Sequence, residues 1–212
     1  MLHLTVVACI GTFDAPIAPL VIFRGDCNDG QVSWTAARDP NGAEMVACVT
    51  KSGWINTFIA VQWLKHFGCA TQARANGAPR LLYLDGHSTH ISVEFLEAAW
   101  QANISICVLP ANLSAILQPL DVDFFNPLKT AYHKQLDNYM LGNGPNPVPR
   151  GAFWPWFQKA WTATTSQRQI RGAWRKAGLW PANKSILVGF RAQTPLRELA
   201  TPAIGPKTPC SL

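Results

Sequence analysis

The chain has 212 residues, of which 48% are hydrophobic and 14% charged, a composition that excludes an intrinsically disordered protein. It has no apolar run of the roughly 18 residues that a membrane span requires, and its N-terminus lacks the positively charged region of a secretory signal peptide. Six cysteines are scattered without a C-x-x-C pair, which excludes a zinc site of the usual spacing and a disulfide framework. We expect a soluble intracellular protein that does not enter membranes.

Charge is distributed unevenly along the chain. Residues 1–123 carry six Lys or Arg and ten Asp or Glu, a net charge of −4, whereas residues 124–212 carry twelve and two, a net charge of +10. A basic half suits a polyanionic partner such as a nucleic-acid backbone. The alternative is that these charges only keep the surface solvated.

The first half of the chain alternates short β-branched segments with turn-rich ones. The first two strands can form a hairpin, and a third follows a long loop. In the helix that comes next, apolar residues recur every fourth position, and Gly68 is expected to end it. We predict strands over 2–10, 20–25 and 45–50, a loop over 26–44 and a helix over 55–68.

The second half begins with an almost wholly apolar strand, which is typical of a buried central position. A helix capped by Ser92 separates it from the next strand, and this alternation favours parallel pairing. We predict strands over 80–85 and 104–110, helices over 92–102, 122–140, 153–165 and 166–178, a linker over 142–151 and a loosely ordered tail from Arg191. The fold class is therefore α/β, a mixed sheet flanked by helices.

Two carboxylates stand out by their positions. Asp85 ends the apolar strand RLLYLD, and Asp121 ends the loop ILQPLD just before an aromatic helix. An ionised carboxylate at the end of a buried strand is costly unless it is paired or binds a metal ion. Two carboxylates from separate elements can share Mg²⁺, which takes oxygen ligands. The alternatives are a turn aspartate at position 85 and a helix N-cap at position 121.

The segments around these aspartates resemble the paired signature of pogo, Tigger and jerky-type DDE transposases. The first reads YLDGHSTHIS and the second reads LPANLSAILQPLDVDFFNPLK. The segments PLVIFRG and KSGWINTFIAVQWLKHF upstream, and FQKAW and QIRGAWRKAGLWPAN downstream, are also similar to that family. The resemblance extends from residue 1 to about residue 190.

This resemblance implies a ribonuclease-H-like fold in which three carboxylates hold two divalent metal ions, Mg²⁺ or Mn²⁺, for DNA strand cleavage and transfer. Asp85 corresponds to the second carboxylate and Asp121 to the third. The first has no counterpart, because the family's first strand lies upstream of the segment LHLTVVACI. Asp14, Asp26 and Asp29 are not placed to replace it, so we expect a chain that lacks this strand and is inactive as it stands.

Further residues have roles under the same resemblance. His87 and His90 can orient Asp85 or contact phosphate, although a turn histidine and a helix-entry histidine are equally compatible with the pattern. Asp123 is expected to be exposed to solvent rather than to act as a third ligand. The candidate nucleic-acid-binding residues are Arg168, Arg171, Arg175 and Lys176, of which the arginines follow helical spacing.

The resemblance leads to a functional hypothesis with one rival. The chain is interpreted as a partial catalytic core over residues 1–141, a helical extension of that core over 142–190 and a tail over 191–212. Its partner would be DNA and its location the nucleus. The rival is a domesticated, non-catalytic module for binding DNA or another protein. The sequence does not indicate an oligomeric state.

Overall fold

The computed structural model describes residues 4–12, 16–26, 46–86, 91–110, 112–144 and 150–186. Within these ranges the chain forms five strands and seven α-helices. The strands come in the predicted order, but five helices were predicted, and the short helix Ser114–Leu117 lies in a segment predicted as loop. The strands are β1 Leu4–Cys9, β2 Ile17–Arg24, β3 Val46–Thr50, β4 Arg80–Leu84 and β5 Ile104–Val108. The helices are α1 Thr57–Ala75, α2 Val93–Gln101, α3 Ser114–Leu117, α4 Pro119–Asp123, α5 Phe125–Asn143, α6 Phe153–Thr164 and α7 Gln167–Lys176.

The strands form two sheets in the described part of the chain. In the first, β2 is central: it runs antiparallel to β1, with Val6 opposite Val21, and parallel to β3. In the second, β4 and β5 are parallel, with Leu82 opposite Ile106. The hairpin, the mixed pairing within the first sheet and the parallel pair across α2 are thus confirmed, whereas the one mixed sheet that the sequence predicts is divided into two sheets among the described strands. Within the described residues, β1 and β4 each pair with a neighbour on one side.

Alternate residues of β2 point into two hydrophobic cores, as the period-two geometry of a strand requires. One core joins the first sheet to α5, α6 and α7 through buried side chains: Val21, Phe23, Phe124, Leu128, Phe153, Phe157 and Ile170. The other joins both sheets to α1 and α2: Leu20, Ile22, Ala60, Leu64, Leu82, Phe95 and Ile104. Tyr83 of β4 also contacts Trp174 of α7, with ring centroids 5.8 Å apart. Both sheets therefore lie between the same two layers of helices.

Two predicted helix boundaries are wrong. Helix α1 continues through Gly68 to Ala75 and ends at Asn76, which adopts a left-handed conformation at φ 45°. Gly68 is buried in the helix, where an added Cβ would lie 3.9 Å from the Cβ of Ala102. That distance is an ordinary van der Waals contact, so Gly68 is an interior helical residue and the C-cap is Asn76.

The helix predicted over 122–140 is two helices, because the chain bends at Phe124. Helix α4 begins at Pro119, a residue suited to a first helical turn, and α5 begins at Phe125. Phe124 between them is fully buried in the first core. The break coincides with burial of this ring, and periodicity alone does not reveal it.

Several predictions fall outside the described residues. They concern Asp14 and Asp29, the two histidines His87 and His90, most of the loop over 26–44, the middle of the linker over 142–151, and the tail from Arg191. Asp26 is described and lies exposed just after β2.

Candidate active site

Asp85 lies at the carboxyl end of β4, directly after the parallel pairing with β5. Leu84 is opposite Val108, and the backbone N–H of Leu109 donates to the carbonyl of Leu84 at 2.8 Å, which holds the two strand ends together. Asp85 itself is half-buried. Ligands of parallel sheets commonly bind outside the carboxyl ends of the strands, and Asp85 occupies such a position.

Asp121 lies in the first turn of α4, immediately after the short helix α3. Its backbone N–H donates to the carbonyl of Gln118 at 3.0 Å. The N-cap position of α4 is Gln118 and that of α5 is Phe124, and neither helix has a side-chain cap. The N-cap alternative for Asp121 is therefore wrong, and its carboxylate is not engaged in capping the helix that follows.

The two carboxylates influence each other electrostatically. Partial burial and, next, the negative charge of Asp85 raise the pKa of Asp121, while the positive charge of Lys129 acts in the opposite direction. Burial is the larger of the two causes, and the charge of Asp85 adds to it. The structure thus brings Asp85 and Asp121 into one electrostatic neighbourhood.

A cation would relieve the repulsion between Asp85 and Asp121. Oxygen ligands of this kind suit Mg²⁺ or Mn²⁺, since these hard cations bind through a few carboxylates and retain water. Among the described residues, no group of three or more His, Cys, Asp and Glu side chains could hold a metal ion. The described residues therefore offer two carboxylates of suitable chemistry and do not form a complete metal cage.

Lys129, the last residue of the second signature segment, also acts on this site. It is an exposed residue in the first two turns of α5, eight positions after Asp121, and it acts on that carboxyl across the bend at Phe124. Positive charge at this position favours the ionised form of the Asp121 carboxyl.

Asp123 is not the freely solvated residue that the sequence suggests. Its carboxylate lies 2.8 Å from the ammonium nitrogen of Lys176, with the aspartate side chain only 22% exposed. The side-chain amide of Gln169 donates to the backbone carbonyl of Asp123 at 2.7 Å. These contacts fasten α4, which carries Asp121, onto α7.

The arginines of α7 form an exposed stripe. Arg168, Arg171 and Arg175 are all exposed, and steps of three and four place them on one side of the helix, away from the buried Ile170 and Ala173. Ser166 caps the helix by accepting a hydrogen bond from the N–H of Gln169. Lys176 belongs instead to the ion pair with Asp123, so it is the least available of the four candidate cations.

Comparison with protein families gives a match over most of the chain. A family model described as DDE superfamily endonuclease matches residues 2–174. That range contains Asp85, Asp121 and the first two arginines of the α7 stripe. No solved structure matches.

Curated relatives match the chain over part of their own length. A protein named MFS-type transporter clz9 from Cochliobolus lunatus is 31% identical over 193 residues, which is 91% of this chain and 20% of that protein. Pogo transposable element with KRAB domain from Mus musculus is 26% identical over 74% of this chain and 26% of its own length. ARS-binding protein 1 from Schizosaccharomyces pombe is 28% identical over 69% of this chain and 30% of its own length. The chain thus spans less than a third of each relative.

The name of the first relative describes a transporter, but none of the helices in the described ranges is long and apolar enough to cross a membrane. The family match includes both halves of the double signature around Asp85 and Asp121. The mouse and human Pogo proteins, 26% and 25% identical, indicate the branch. The chain belongs to the DDE superfamily endonucleases, among the pogo-type transposases.

Proposed function

We propose that this chain is a partial, ribonuclease-H-like DDE core that binds DNA and holds a divalent metal ion between Asp85 and Asp121. The observation that carries the proposal is the match to the DDE superfamily over residues 2–174, which includes both aspartates; the effect of Asp85 in raising the pKa of Asp121 supports it. Like charges brought together at a strand end call for a compensating cation. Mg²⁺ and Mn²⁺ are the cations that such oxygen ligands prefer.

Each residue would have a separate role at this site. Asp85 and Asp121 would hold the metal ion, and the cation would supply charge neutralisation and an activated oxygen nucleophile for attack on a phosphodiester. Lys129 adds positive charge near Asp121, which favours the ionised carboxylate that a metal requires. The exposed arginines of α7 would contact DNA phosphates and position the backbone.

The proposed organisation has three parts. Residues 1–141 would form the partial catalytic core, residues 142–190 its helical extension and residues 191–212 a tail. Support for an extension that acts with the core comes from α6 and α7, whose buried residues share one cluster with β2 and α5. The relatives named for transposable elements support a nuclear location for this chain.

Metal binding is tested by thermal unfolding with and without Mn²⁺. A ligand that binds only the folded state stabilises it by about 2.7 kcal/mol when its concentration is 100 times its dissociation constant. We expect Mn²⁺ to raise the melting temperature of the wild-type chain and to have little effect on Asp85→Asn or Asp121→Asn. The matched control is Asp137→Asn. It removes an exposed carboxylate that lies about 18 Å along α5 from the first residue of that helix. Equal Mn²⁺ stabilisation of all four proteins would exclude this site.

The raised pKa of Asp121 gives the pH dependence its sign. A carboxyl whose folded-state pKa exceeds its unfolded value destabilises the fold once it ionises, so stability falls as pH rises from the ordinary value through the raised one. Asp121→Asn should flatten this fall in metal-free protein. Protons and Mn²⁺ compete for the Asp121 carboxylate. Because its pKa is raised, Mn²⁺ binding should weaken at a higher pH than it would at an aspartate with an ordinary pKa. Measuring melting temperature against pH, with and without Mn²⁺, checks both effects.

Strand cleavage by the 212-residue chain should be weak. The family site uses three carboxylates to hold two metal ions, which stabilise both the attacking and the leaving oxygen. With two carboxylates we expect weaker metal binding and stabilisation of only one of these oxygens. We expect little Mg²⁺- or Mn²⁺-dependent nicking of supercoiled DNA above a buffer control. Robust nicking that disappears in Asp85→Ala would show that another residue completes the site, and variants of His87 and His90 would then identify it.

A second candidate function is a non-catalytic module that binds DNA or another protein. It is favoured by the exposed arginine stripe of α7 and by the relative named as an ARS-binding protein. DNA binding that is unchanged in the Asp85→Asn/Asp121→Asn double variant and independent of Mg²⁺ would favour this module over the enzyme.

A further inference from the structure

A small cavity lies where α7 ends and the chain turns back over it. Six residues line it: Thr12, Arg171, Trp174, Arg175, Trp180 and Pro181. Its volume is about 190 Å³. An apolar cavity of about 150 Å³ accommodates a benzene ring, so this one has room for a single aromatic ring system. We call it the α7 cavity.

The turn after α7 builds one wall of this cavity. Gly178 follows the helix with φ 70°, a left-handed conformation in which its N–H donates to the carbonyl of Arg175 at 3.0 Å. The backbone N–H of Trp180 then reaches back to the carbonyl of Trp174 at 3.4 Å. An added Cβ at Gly178 would meet the carbonyl oxygen of Asn183 at 2.9 Å, so the turn tolerates little else at this position.

The chemistry of the lining combines aromatic faces with positive charge. Trp174 packs edge-on against Tyr83 and belongs to the body of the fold, whereas Trp180 is 50% exposed. Arg171 and Arg175 lie one helical turn apart, and within the described residues neither guanidinium forms an ion pair or a hydrogen bond. The negative end of the α7 dipole slightly disfavours an anion here, but two full positive charges outweigh this partial charge.

We propose that the α7 cavity binds one unpaired nucleotide of a nucleic-acid strand, with its base stacked on Trp180 and its phosphate beside Arg171 and Arg175. Base stacking on an aromatic side chain tolerates any sequence, and arginine adds a cation–π contribution as well as a phosphate contact. A paired base in a duplex cannot enter, because both of its faces are already stacked. The α7 cavity therefore selects single-stranded segments or strand ends.

This inference rests on the proposed DNA binding but differs from it in the structure of the ligand. The arginine stripe predicts affinity for any phosphate backbone, duplex included. The α7 cavity predicts an additional preference for unpaired nucleotides that depends on an indole ring. Trp180 takes no part in the proposed duplex contacts or in the metal site, so its substitution isolates the cavity.

The experiment compares two fluorescein-labelled probes by polarisation, a 15-nucleotide single strand of mixed sequence and its blunt-ended duplex. Trp180→Ala is expected to weaken single-strand binding at least about fivefold while leaving duplex binding unchanged, and Trp180→Phe to restore most of the loss. The matched control is Trp100→Ala. Trp100 is 86% exposed on α2 and has Glu97 one turn before it, so it offers stacking surface in acidic surroundings.

Competition by small ligands identifies the chemistry. Deoxyadenosine monophosphate should displace the single strand from wild-type protein at concentrations where inorganic phosphate does not. If Trp180→Ala leaves single-strand binding unchanged while the arginine variants lose duplex binding, the α7 cavity proposal is overturned and the proposed DNA function stands. If single-strand binding depends on Trp180 and duplex binding is absent, the cavity stands and the stripe is wrong. Binding of neither probe overturns both.

Discussion

Replacing Arg168, Arg171 and Arg175 together by Ala should lower the salt dependence of duplex DNA binding by about 2.7 units in the slope of log K against log salt concentration. Each phosphate contact releases counterions and contributes about 0.9 to that slope. All three side chains are exposed on one side of α7, within the reach of a single backbone. The effect should be nearly the same for unrelated duplex sequences, since phosphate contacts carry no base information.

A matched control separates local contact from overall charge. Lys51→Ala/Lys65→Ala/Lys134→Ala also removes three exposed positive charges, so both variants carry a net charge of +3 instead of +6. If both triple variants change the slope equally, non-specific attraction by net charge explains the binding. If neither does, the stripe only solvates α7, and its aliphatic stems cover apolar surface.

Local patterns predicted most of the fold. Strand alternation, turn residues and helical periodicity depend on neighbouring residues, so all five described strands and the helices α2, α6 and α7 lie within a few residues of their predicted positions. Ser92 caps α2 as expected, accepting from the N–H of Phe95 at 3.2 Å. The parallel pairing of β4 and β5 follows from the helix between them.

What could not be predicted depends on contacts between distant parts of the chain. The helix α1 continues past Gly68 to a left-handed Asn76, and the bend at Phe124 coincides with complete burial of that ring. The pairing of Asp123 with Lys176 joins residues 53 positions apart. The α7 cavity likewise needs Thr12 beside a helix more than 150 residues later. The spacing of residues along the sequence does not predict contacts between such distant residues.

The sequence points to candidate site residues but not to the residues that surround them. A strand-end carboxylate and the double signature point to Asp85 and Asp121, and the structure couples them electrostatically. The metal and catalytic roles remain proposals. The influence of Lys129 and the attachment of α4 to α7 require the folded chain.

Phe124→Ala should cost about 3–5 kcal/mol of unfolding free energy, the range for removing a large buried aromatic ring. Phe124 is 0% exposed, and its ring lies 5.5 Å from that of Trp161 in an edge-on contact between the α4–α5 bend and α6. The loss is a large part of the roughly 5–15 kcal/mol that stabilises a typical domain. Urea denaturation followed by circular dichroism measures it.

The matched control is Phe58→Ala in the first turn of α1, where the ring is 68% exposed and the change should stay within about 0.5 kcal/mol. Phe124→Leu retains part of the buried volume and keeps the test valid if the alanine variant does not fold. In Phe124→Leu the increase in melting temperature caused by Mn²⁺ should also be smaller than in the wild type. Asp121 and Lys129 lie on opposite sides of the bend at Phe124, so loosening the bend disturbs the site.

Phe124→Ala also tests whether residues 142–190 fold together with the core. Phe124 shares its cluster with Phe153 and Phe157 of α6 and Ile170 of α7, so the helical extension should unfold in one transition with β2. A loss below about 1 kcal/mol, or a second transition assigned to the C-terminal helices, would contradict this. The extension would then be a separate unit, and the ion pair between Asp123 and Lys176 would be a contact between two independently stable parts.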